Sequence, residues 1–159
     1  MSILTKTFTR KRSTHVTTTP SDDPVVEFLD AFGRRDVDTA VARVADDVRV
    51  TAHGLGLRGQ GVAAIREILE DIARAFPDLR VTTKRILRTG DVLTAELKVE
   101  GTQAAPYAGA INQEKHLDLD EAWRFEVRDG RIVAIDAYWC QQQLYRRLGV
   151  KRFDQIAIV

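Results

Sequence analysis

The chain has 159 residues, 44% of them hydrophobic and 30% charged, which suits one domain of ordinary soluble composition with enough apolar material for a core. Its formal net charge of +1 is uneven: Lys6, Arg10, Lys11 and Arg12 face a single acid, Asp22, within residues 1–22, so the remaining body is slightly acidic. That body lacks the basic face of a nucleic-acid binder, no apolar run approaches the roughly 20 residues of a membrane helix, and the single cysteine, Cys140, excludes an internal disulfide framework.

Residues 1–22 read as a solvated Thr/Ser/basic arm, and residues 23–159 as the folded domain. A transit-like role, or packing on a partner subunit, are the alternatives for the arm. Its first residues hold no apolar stretch long enough for a secretory signal, and the lone thiol fits a reducing compartment, so the expected location is cytoplasmic.

The first helix is expected near 24–33. Asp23 can cap it, Pro24 suits the first helical position, and Val25, Phe28, Leu29 and Phe32 recur at helical spacing. A short second helix follows Asp36, near 37–45. Val48–Ala52 alternates like a strand, and His53 to Gly59 reads as a glycine-rich loop. Its glycines superficially resemble G-x-G-x-x-G but lack the βαβ setting of a dinucleotide site. A third helix is expected near 62–76, stopped by Pro77.

After Pro77 the apolar period changes from 3.6 to 2. Leu79–Leu87 and Val92–Gln103 read as strands joined by a turn at Gly90-Asp91. Residues 104–115 read as a loop. Leu117–Val127 and Ile132–Trp139 form a second hairpin through Asp129-Gly130. Helices first and long antiparallel strands after predict an α+β domain.

One polar residue stands out on these strands. Leu117, Leu119, Glu121, Trp123, Phe125 and Val127 share one face, while Asp118, Asp120, Arg124 and Glu126 share the wet one. A carboxylate on the apolar side must be paired, hydrogen-bonded, or protonated through a raised pKa. That is the pattern of a general acid or base, or of a neutral carboxylic acid that donates a hydrogen bond. A structural ion pair with a neighbouring strand or a partner subunit is the plainer alternative. Gln103 would end the apolar face of its strand near a pocket mouth, where it can donate and accept hydrogen bonds. Trp139 beside the small Ala137 suits a pocket wall or a plain core position. His53 lies in the glycine-rich loop, and His116 opens the strand that carries Glu121. No histidine or cysteine pair has metal-ligand spacing, and Cys140 has no basic neighbour in sequence to activate its thiol.

Several landmarks together resemble known families. Ala75 to Leu79, Gly90-Asp91, Gly101-Thr102-Gln103, Arg128 to Ile132 and Arg147-Leu148-Gly149 follow the order found in SnoaL-like polyketide cyclases. Glu121 to Phe125, then Gly130-Arg131-Ile132 and Ala137-Tyr138-Trp139, are similar to the C-terminal hairpin of bacterial ketosteroid isomerases. The resemblance covers roughly residues 24–149. It implies a cone-shaped curved antiparallel or mixed sheet with three N-terminal helices enclosing an apolar pocket, a homodimer, and cofactor-free proton-transfer chemistry.

The departures from both families bear on the reaction. In ketosteroid isomerases an Asp base moves the proton, and a Tyr and a protonated Asp hold the enolate oxygen. Here those positions fall on Ala52, Phe28 and Glu121, so only the last keeps a carboxylic acid. The histidine and acid/base aspartate of SnoaL-like cyclases fall on Gln103 and Cys140. Glu121, His53 and Gln103 are therefore the candidate catalytic set. Trp139, Trp123, Phe28, Tyr107, Cys140 and His116 are the candidate substrate contacts. The expected activity is cyclase, isomerase or dehydratase chemistry on a polyketide-like or other apolar substrate of secondary metabolism, such as antibiotic biosynthesis. Cofactor-independent hydroxylation or epoxide opening is one alternative, and a non-catalytic ligand-binding or dimerisation module is another. The expected partner is an apolar small molecule, with no nucleic acid and no membrane.

Overall fold

A computed structural model of the chain describes residues 22–151. The expectation of a solvated basic arm concerns residues that lie, but for Asp22, outside this range. The elements run α1 (Pro24–Gly33), α2 (Val37–Val41), β1 (Val44–Ala52), a 3-10 turn (His53–Leu55), β2 (Leu57–Gln60), α3 (Val62–Ala75), β3 (Arg80–Thr89), β4 (Val92–Thr102), β5 (His116–Arg128), β6 (Arg131–Trp139) and α4 (Gln141–Arg147). The six strands form one curved, open mixed sheet in the order β2-β1-β6-β5-β4-β3. Only the β1–β6 pair is parallel.

Local chemistry explains the boundaries. The Asp23 carboxylate accepts the Val25 N–H at 2.9 Å, and Pro24 occupies the first turn of α1. Asp36 caps α2 by accepting the Thr39 N–H, and hydrogen bonds from the Thr39 side chain first and its N–H second hold the Asp36 carboxyl below the usual range. Between β5 and β6, Asp129 and Gly130 both take positive φ, 51° and 73°, as a two-residue turn of matching twist requires.

Three expectations need correction. The helices do not all precede the long strands, because β1, nine residues long, comes before α3. Its first half was hidden by exposed Asp46 and Asp47 and by a register shift between Val44 and Arg49, which break the alternation. With β1 beginning at Val44, α2 stops at Val41, short of residue 45. The glycine-rich segment is not a plain loop: it holds the 3-10 turn and β2, which pairs with β1 through Thr51↔Arg58 and Ala52↔Leu57. The helix α4 was not anticipated.

The core lies between the inner face of the sheet and the helices. Ile65, Leu69, Ile72 and Ala75 of α3 and Val25, Phe28, Leu29 and Phe32 of α1 are all buried there. Phe28 is fully buried, with its ring 5.7 Å from Phe125 in an edge contact and 6.3 Å from Trp123. It belongs to this core and does not line the cavity described below. Phe28→Ala should therefore cost about 3–5 kcal/mol of stability, the usual figure for a deleted core aromatic. Urea unfolding measures it, and a loss well under 1 kcal/mol would place Phe28 at a yielding surface instead.

Candidate functional site

The inner face of the sheet and α3 enclose a narrow cavity. Val50 and Ala52 come from β1, Leu117, Glu121 and Trp123 from β5, and Ile135, Ala137 and Trp139 from β6. Ile65, Ile68 and Ile72 of α3 close it from the opposite side, and Tyr107 stands at its edge. The free volume is about 20 Å³, room for one water molecule. Among the described residues, Glu121 is the only carboxyl on this lining.

Sheet register explains the setting of Glu121. It lies opposite Leu97 on β4 and Trp139 on β6, and its same-face neighbours along β5, Leu119 and Trp123, are buried. No cation approaches it among the described residues. Its hydrogen-bond donor is the Trp123 indole N–H, 2.7 Å from Oε2. Glu121 keeps residual surface where it borders the cavity and a shallow outer groove, yet enough protein surrounds the carboxyl for burial to dominate. Burial pushes its pKa up to about 7, against a smaller downward pull from the Trp123 hydrogen bond. Such a group can take or give a proton near neutral pH.

Trp123 is positioned in turn by stacking on Phe32, with ring centroids 5.2 Å apart. Trp139 is fixed by its indole N–H, which donates to Gln141 Oε1 at 2.8 Å, and by close contact with Gly54. A Cβ at residue 54 would sit 2.4 Å from the indole, so glycine is what lets the 3-10 turn approach this wall.

The other predicted site residues are occupied elsewhere. His53 faces away from the cavity: its Nε2 lies 3.0 Å from Asp136 Oδ1, and its ring stacks on exposed Tyr138 at 4.1 Å. Gln103 is buried and committed to the 104–115 loop. Its amide donates to the carbonyls of Ala110 and Ile111 at 3.4 and 3.2 Å, and its oxygen accepts the Gln113 N–H at 3.2 Å. His116 is exposed beside Thr102, 3.5 Å from its hydroxyl. Cys140 is exposed on the outer groove. Of the nine candidates, Glu121, Trp123, Trp139 and Tyr107 thus meet at one cavity. Sequence reasoning missed Leu55 of the 3-10 turn, Ile68 of α3 and Leu144 of α4, which complete the wall. The apolar pair Leu144 and Leu148, four residues apart, was the available signal for α4. Among the described residues, no cluster of three His, Cys, Asp or Glu side chains could hold a metal ion, and no helix is long and apolar enough to cross a membrane.

Known proteins supply a frame for this geometry. No curated protein sequence matches the chain. Among solved structures, IdmH from Streptomyces antibioticus, provisionally assigned as a polyketide cyclase, superposes with a TM-score of 0.69 at 23% identity, over 84% of this chain and 100% of that one. AclR from Streptomyces galilaeus, provisionally assigned as a hydroxylase, gives 0.70 at 19% identity, over 81% and 84%. An LEH-like epoxide hydrolase from M. tuberculosis gives 0.65 at 23%, over 82% and 90%. These likenesses establish a shared fold. The sequence profile of the SnoaL-like domain matches residues 25–135, most of the described chain and the strands from β1 into the first half of β6, and the protein therefore belongs to the SnoaL-like family.

Proposed function

We propose that the protein is a small-molecule enzyme in which Glu121 carries a proton inside an apolar cavity. The chemistry is of cyclase, isomerase or dehydratase type, on a polyketide-like or other apolar substrate, and needs no cofactor. One observation supports this above the rest: a carboxyl placed on the apolar wall with an indole N–H for company and, among the described residues, no cation. A residue kept only for structure gains little there, because an apolar side chain of similar size would avoid the desolvation cost. The polyketide cyclase name of one structural neighbour is consistent with this class. Epoxide opening is less well supported, since it needs an acid at the epoxide oxygen and a separate base for the nucleophile, and the cavity offers one carboxyl. A homodimer, as the family resemblance implies, and a cytoplasmic location, as the lone thiol suggests, complete the reading.

The test is proton exchange at the carbon next to the carbonyl of a panel of apolar ketones in heavy water, followed by mass spectrometry. Glu121→Gln should keep the fold, judged by circular dichroism, and slow exchange by about 10²–10⁴-fold. Equal exchange by the two proteins would remove Glu121 from the chemistry and leave ligand binding as the function.

A second outcome concerns stability. The folded protein holds the Glu121 proton more tightly than the unfolded chain does, because the folded pKa is about 7 against an ordinary 4.5. This contribution is fully present below about pH 4.5 and lost as pH rises through 7. Glu121→Leu carries no such group. Its stability relative to the parent should therefore grow by on the order of 3 kcal/mol between pH 4 and pH 8. Denaturant titrations of both proteins at the two pH values measure this, and a pH-independent difference would mean that the carboxyl titrates normally.

A further inference from the structure

Among the described residues, Tyr107 brings the one hydroxyl to the cavity lining. It is 8% exposed, and its hydroxyl makes no hydrogen bond to any described residue. That hydroxyl is not sealed in protein, so it borders open space. An O–H that faces open space is free to donate to a molecule that enters it.

The chain around Tyr107 is braced. Its N–H donates to the Ala110 carbonyl at 3.1 Å, and the Ala110 N–H donates back at 2.8 Å. The Gln103 amide holds the Ala110 and Ile111 carbonyls from one side, and the Tyr145 hydroxyl donates to the Ala108 carbonyl at 2.9 Å from the other. The ring rests edge-on against Phe76, 5.3 Å between centroids. The buried Gln103 thus acts at one remove, by fixing the turn that aims the phenol.

Position adds a second argument. Tyr107, Leu55 and Ile68 line both the inner cavity and an outer cleft of about 430 Å³ between β2 and α3. A ligand that reached the cavity through this cleft would pass the hydroxyl. The carboxylates acting on the phenol are Glu121 of β5 and then Asp71 of α3, while Arg58, Glu67, Glu70 and Arg74 line the cleft. Burial first, and these two acids after it, push the phenol pKa further up, so the O–H remains a donor across the physiological range.

We propose that Tyr107 is the second functional group of this site: its hydroxyl donates a hydrogen bond to an oxygen of the bound molecule, so the substrate is an apolar compound bearing a carbonyl. This rests on the reading of the cavity as the substrate site, but not on proton transfer by Glu121. Once a ligand has displaced water from this hydroxyl, one that supplies an acceptor is preferred, because the analogue without it leaves the donor unsatisfied.

The experiment uses two matched probes, 2-tetralone and its hydrocarbon counterpart tetralin, titrated by intrinsic tryptophan fluorescence at pH 9. At that pH Glu121 is ionised and cannot donate, whereas Tyr107 can. The ratio of ketone to hydrocarbon affinity should fall about 2- to 10-fold in Tyr107→Phe. The same fall should appear when both proteins also carry Glu121→Leu, which separates this role from that of Glu121. The infrared carbonyl stretch of 2-tetralone bound to the unaltered protein gives a reading that needs no variant: it should lie below its value in hexane. A ratio unmoved by Tyr107→Phe, a hexane-like stretch, or no binding of the ketone would each overturn the proposal. Loss of proton exchange in Glu121→Gln with an unmoved affinity ratio would leave Glu121 in place and remove Tyr107 alone.

Discussion

A carboxyl group on the apolar side of a strand can be stable in two ways: it finds a cation, or it keeps its proton. Glu121 has no cation among the described residues, and the arrangement around it follows from the second choice. Its hydrogen-bond donor is the Trp123 indole. Trp123 is held by Phe32 stacked on it and by Phe28 tilted against it, both from α1. The direction of α1 is set by the Asp23 cap and Pro24. Two rings from a helix about 100 residues away in sequence thus pack against the indole whose N–H meets the carboxyl.

The same strand shows how far environment can separate two acids. On the wet face of β5, Asp118 meets Lys98 at 3.0 Å, and that contact holds its carboxyl below the usual range. Three residues on, Glu121 points the other way and is pushed up to about 7. The period-2 geometry of a strand is enough to do this, since successive side chains face opposite media. The outer pairs, such as Arg85 with Glu96 through two hydrogen bonds of 3.1 and 2.6 Å, are exposed and contribute modestly to stability. Their effect is to keep the wet face charged but balanced.

The alternation in β5 was legible before any coordinates, because the contrast of one acid among Leu119, Trp123 and Phe125 needs only the period. The hairpin turns were legible for a similar reason: Gly90 and Asp129-Gly130 are short-range signals. The histidine and glutamine assignments were not. His53 finds Asp136 across 83 residues, and Gln103 finds its partners in an irregular loop with no period to read. Both side chains are polar residues near a pocket in sequence terms, and both are already hydrogen-bonded in the fold. The start of β1 was hidden by its register shift, and α4 by its short, polar sequence Gln141-Gln142-Gln143.

A free volume of about 20 Å³ has a kinetic consequence for any ligand larger than water. The state that accepts such a ligand cannot be the one described here, so side chains at the boundary, with Leu55 and Ile68 foremost, must rotate first. Occupancy is then governed by a conformational equilibrium as well as by contacts. Were about one molecule in a hundred open, the observed dissociation constant would be about a hundredfold weaker than the intrinsic one. Truncating Leu55 or Ile68 would raise the open population and hasten association, while admitting water to the carboxyl and returning its acidity toward that of an ordinary glutamate.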